Sequence, residues 1–93
     1  MKIENYSGNS IFLNSKDSPV IINNCKIDTI LPNQDGIQCL GRGLYIIKNT
    51  VVSNEKKLPT EIDELASVVN GATAIFYHCR FSGNGKGVLV GSR

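Results

Sequence analysis

No apolar run in this 93-residue chain approaches the roughly 18 residues of a membrane-spanning helix. Its start, Met1-Lys2-Ile3-Glu4, has none of the features of a secretory leader. No membrane partner is expected, and the chain is expected to work where it is made unless a leader was removed beforehand. Charge of one sign is equally scarce. The net charge is +2 and no basic run exceeds Lys56-Lys57, which argues against nucleic acid as a partner. The three cysteines are an odd number and form no CxxC pair, so neither a disulfide framework nor a zinc site is indicated. Small, buried, reduced thiols are the expected state, in keeping with cytoplasmic synthesis. Asn5-Tyr6-Ser7 fits a glycosylation sequon, but so short a pattern arises often by chance.

What is present reads as one globular domain, 1–93, with 41% hydrophobic and 19% charged residues. Its distinguishing feature is repetition. "VIINNCKI" begins at residue 20, "YIIKNTVV" at 45 and "AIFYHCRF" at 74, so the phrase recurs after 25 and then 29 residues. Overlaying the phrases aligns Ile21, Ile46 and Ile75; then Ile22, Ile47 and Phe76; then Asn24, Asn49 and His78; then Cys25, Thr50 and Cys79. Ile27, Val52 and Phe81 align two positions later. Each phrase is rich in β-branched and aromatic residues, as strands are. A second strand-like run separates the phrases: "GIQCL" at 36–40, "ASVVN" at 66–70 and "GVLVG" at 87–91. "SIFLN" at 10–14 is the same run one turn earlier, after "KIENY", a degraded first phrase.

Self-similarity at 20 to 30 residues, with short strands and Gly, Asn and Ser turns, predicts an all-β fold, a β-solenoid of about four coils. Stacked coils place equivalent residues in ladders about 4.8 Å apart. Ile21, Ile46 and Ile75 are expected to face inward, and Ile47 to lie in the core. Asn24 over Asn49 is expected to form an asparagine ladder at a bend, with His78 as its next member. Cys25 and Cys79, two coils apart at about 9.6 Å, lie beyond the roughly 7 Å a disulfide allows, which predicts three free thiols. One insertion, 53–65, breaks the third coil. Its Pro59-Thr60 followed by Glu61-Ile62-Asp63-Glu64-Leu65 fits one or two helical turns.

At this point a family resemblance enters. "NQDGIQCLGRGLYIIKNTVVSN" and "GATAIFYHCRFSGNGKGVLVGS" resemble coils of the right-handed parallel β-helix proteins of the pectin-lyase-like superfamily. That group includes pectate lyases, polygalacturonases, phage tailspikes and many non-enzymatic relatives. The resemblance spans residues 20–92 and implies a right-handed parallel β-helix. Among its enzymes the polygalacturonase pattern is the nearest. Asn33-Gln34-Asp35-Gly36-Ile37 is similar to its Asn-x-Asp-Gly-Ile phrase, Asp63-Glu64 stands near its acidic pair, and Gly85-Lys86-Gly87 has the spacing of its Gly-His-Gly phrase. A hydrolase on this pattern would use Asp35, Asp63, Glu64 and Lys86, its carboxylates about 6.5 to 9.5 Å apart across a sugar.

The departures outweigh this match. Lys86 replaces the His, no Arg-x-Lys element follows, and the acidic pair falls in a charged insertion whose default is a solvated face. No acidic cluster of the kind that holds calcium is present, so neither a metal nor a cofactor is expected. "GNGKGV" lacks the hydroxyl residue of a phosphate loop, because Gly87 takes its place; a tight corner is the better reading. The Asn- and Gly-rich corners suit contact with polysaccharide, yet bends require the same residues sterically.

The expected function is a non-catalytic structural or interaction module in a homo-oligomer, or on other protein subunits of a larger assembly such as a virion or tail. A carbohydrate-active enzyme of polygalacturonase or pectate lyase type, or its remnant, is the alternative. Uncapped terminal coils and a narrow core point to such partners. End-on stacking is one geometry, and side-by-side pairing of outer faces through Tyr45 and Tyr77 is the other.

Overall fold

The computed structural model describes residues 1–16, 19–30, 33–54, 64–83 and 87–91. Among them the chain forms strands and no helix. β1 (Lys2–Glu4), β2 (Ser7–Asn9) and β3 (Ile11–Asn14) make a first circuit. β4 (Val20–Asn23), β5 (Lys26–Thr29) and β6 (Ile37–Leu40) make the second. β7 (Leu44–Lys48), β8 (Val51–Asn54) and β9 (Ala66–Val69) make the third, and β10 (Thr73–Tyr77), β11 (Arg80–Gly83) and β12 (Val88–Gly91) the fourth.

Every third strand joins the same sheet. The first sheet has the order β1-β4-β7-β10, the second β2-β5-β8-β11 and the third β3-β6-β9-β12, and all neighbours run parallel. The repeated phrases pair residue on residue, as their alignment predicts. Ile21 lies beside Ile46 and Ile46 beside Ile75, while Ile27, Val52 and Phe81 form a row in the second sheet. β1 pairs with β4 through Ile3 and Ile22, so "KIENY" does occupy the place of a first phrase. One irregularity, between Gly8 and Asn9, interrupts the pairing of β2 with β5.

A single buried cluster draws on all three sheets: Ile22 and Ile47 from the first, Ile27 and Val52 from the second, Ile37 and Cys39 from the third. This corrects the expected facing of the first sheet. Ile21 and Ile46 are only half-buried and Ile75 is exposed, whereas Ile22 and Ile47 are fully buried. Adjacent residues of a strand face opposite ways, so two neighbouring isoleucine rows cannot both point inward. Tyr45 is also corrected. It shares the inner face with Ile47 and is completely buried, so it offers nothing to a partner. Its hydroxyl accepts from the Ser15 amide at 2.8 Å and donates to the Leu40 carbonyl.

The bend between the first and second sheets has one construction on every circuit. Asn5, Asn24, Asn49 and His78 occupy it with φ of 58°, 54°, 52° and 51°. That left-handed region is costly for most residues and cheapest, after glycine, for Asn. The residue after the bend residue, from the second circuit on, carries a small donor. The Thr50 hydroxyl donates to the Lys48 carbonyl at 2.9 Å, and the Cys25 and Cys79 thiols face the Asn23 and Tyr77 carbonyls at 3.4 and 3.5 Å. All three cysteines are free thiols, as the coil spacing predicts. The backbone ladder runs through the bend unbroken: Asn24 N–H donates to Lys48 O, and Val51 N–H to Cys25 O.

Candidate functional site

Asp35, the first of the residues that the alternative hydrolase reading would use, is buried. Asn33, two residues before it, turns the chain at φ 61°. One carboxylate oxygen of Asp35 accepts the Glu64 amide at 2.9 Å, and the other accepts the Ser67 hydroxyl at 2.5 Å. Gly36 follows because nothing larger fits. A Cβ there would collide with the Leu65 carbonyl and lie 2.6 Å from Val52 Cγ1. The Gly36 and Ile37 amides donate to the Glu64 and Leu65 carbonyls at 3.0 and 3.1 Å. Asp-Gly-Ile thus ties the second circuit to the start of β9 on the third, a role that accounts for all three residues without substrate. The fold brings Asp35 and Glu64 together, while Asp63 and Lys86 lie outside the described residues, as does most of the insertion, 55–63. Leu65, at its end, is part of the core.

The asparagine bend forms side-chain bonds between circuits, with a different pairing from the one expected. Asn24 Nδ2 donates to Asn5 Oδ1 at 2.8 Å, but Asn49 Nδ2 donates to Asn23 Oδ1 at 3.0 Å rather than to Asn24. His78 keeps the backbone conformation of the column, and its ring stacks on Tyr77, centroids 4.1 Å apart and planes within 10°.

Outward rows on two of the three sheets are candidate contact surfaces. On the first sheet Ile21, Ile46 and Ile75 form an apolar row across three strands, beside the row Asn23, Lys48 and Tyr77. Exposure is greatest on β10, where Ile75 is 51% and Tyr77 58% exposed. On the second sheet the outward residues line a shallow depression of about 370 Å³: Lys26, Asp28, Val51, Ser53, Arg80 and Ser82. Lys26, Val51 and Arg80 are one registered row, and Ser53 and Ser82 belong to the next. The ion pair formed among the described residues, Lys2 to Glu4 at 2.8 Å, is on β1 and away from this face. The Lys2 ammonium holds the exposed Glu4 carboxyl below its ordinary range. Sequence reasoning passed over the depression, although carrying the phrase alignment one position past Cys25, Thr50 and Cys79 puts Lys26, Val51 and Arg80 in one row.

Among the described residues no group of three or more His, Cys, Asp or Glu is placed to hold a metal ion. Among the described residues no helix is long and apolar enough to cross a membrane. Comparison with protein-family models, with curated proteins and with solved structures found no match.

Proposed function

We propose that the chain is a right-handed parallel β-helix of four coils that works as a non-catalytic structural module. It associates with further copies through the outer face of its first sheet, within an assembly of virion or tail type. Right-handedness is supported by a general bias, since crossover connections between parallel strands of one sheet are right-handed in about 98% of cases. The observation that carries the functional reading is the isoleucine row. Single exposed apolar side chains are ordinary, but Ile21, Ile46, Ile75 and the adjoining Tyr77 adjoin one another across three strands of one face. The absence of catalysis is supported by Asp35, whose two oxygens already hold Glu64 and Ser67.

Sedimentation velocity at micromolar concentration tests this reading. The wild type is expected at a multiple of the chain mass, and Ile75→Glu at the monomer mass with an unchanged strand signal by circular dichroism. A wild type that sediments as a monomer overturns it.

A further inference from the structure

The depression on the second sheet has a composition that its fold does not require. Lys26, Asp28 and Arg80 point away from the core, and among the described residues none of the three forms an ion pair. Among the described residues Asp28 accepts a hydrogen bond from its neighbour, the Thr29 hydroxyl, at 3.2 Å. We propose that this face binds a phosphate or sulfate monoester of a hydroxylated molecule, a sugar phosphate or a phosphorylated or sulfated glycan.

Lys26 and Arg80 stand two strands apart in one row, about 9.6 Å between backbones at the usual strand spacing. Only Val51, a short side chain, lies between them, so both long side chains can lean over it toward one anion. An Arg fork takes two oxygens of one anion in its plane, and an ammonium adds a point charge. A carboxylate has only two oxygens, so Lys26 would have to share one of them with the fork. A tetrahedral phosphate or sulfate ester has a third oxygen for Lys26, which selects that class. Ser53 and Ser82, in register on β8 and β11, supply hydroxyl donors on the same side. Asp28 repels a second anion and accepts hydroxyl hydrogen bonds. It therefore orients a ligand with charge at one end and hydroxyl groups at the other.

This proposal concerns the second sheet and does not depend on association through the first. Its test is calorimetric titration at low ionic strength, with inorganic phosphate, sodium acetate, glucose 6-phosphate and a sulfated heparin oligosaccharide as probes. Glucose 6-phosphate is expected to bind more tightly than inorganic phosphate, and acetate more weakly than either. Arg80→Gln and Lys26→Gln should each weaken glucose 6-phosphate about tenfold or more, the scale of a hydrogen bond to a charged group. Asp28→Asn should keep inorganic phosphate binding while reducing the preference for the sugar ester. Tighter binding of the oligosaccharide points to a glycan, and tighter binding of glucose 6-phosphate to a free sugar ester; either supports the site. Acetate binding as tight as phosphate overturns the ligand class. Undiminished binding in Arg80→Gln, with the variant folded by circular dichroism, overturns the site.

Discussion

Asp35 joins two circuits through one carboxylate, and the consequence of removing its charge can be stated. In Asp35→Asn an amide nitrogen must face either the Glu64 N–H or the Ser67 hydroxyl, leaving a buried donor without an acceptor. The expected loss is about 1 to 3 kcal/mol in urea unfolding. A loss below about 0.5 kcal/mol would mean that Asp35 does not secure the start of β9. Cys39 is the other residue with a solution signature. Burial pushes its thiol from an ordinary 9.0 up to about 12. Below pH 9 folded and unfolded chains both keep the proton. Between about 9 and 12 the unfolded chain loses it first, so stability falls with rising pH. Unfolding free energies from pH 8 to 11 should decline more steeply for the wild type than for Cys39→Ala, and parallel declines would place Cys39 outside the core. At this scale the sequence was misleading for a physical reason. Asn33 to Ile37 has the residue types of a catalytic phrase, but burial and partners decide a carboxylate's role, and neither is local in sequence.

The strands show what an internal repeat can and cannot reveal. Register was legible: the phrases pair as aligned, because a stacked chain puts equivalent residues side by side. Facing was not, because "II" occurs in two of the phrases and both rows are apolar. The deciding signal lies two residues on. Ile21, Ile46 and Ile75 share their face with Asn23, Lys48 and Tyr77, whereas Ile22 and Ile47 share theirs with Val20 and Tyr45. The asparagine bend was legible as a column, because only Gly, Asn and a few polar residues accept that backbone, but its Asn49 to Asn23 rung depends on side-chain reach. The facing carries a direct prediction. Ile47→Ala should lose about 2 to 5 kcal/mol by leaving a core cavity, and Ile46→Ala less than about 1 kcal/mol. Chemical denaturation of the pair measures both, and equal losses would refute the assigned alternation.

For the whole molecule the central claim is that this small stack, 38 × 29 × 18 Å, associates through the outer face of its first sheet. The inner rows hold the chain together, and the proposed association uses the outer isoleucine row. An interface that forms only between folded chains stabilises them by mass action, so the melting temperature must depend on concentration. The deciding measurement is the melting temperature of the wild type and of Ile46→Glu across a hundredfold range of protein concentration. The account predicts a midpoint that rises with concentration for the wild type and stays constant for Ile46→Glu. A wild-type midpoint that does not move across that range would contradict it.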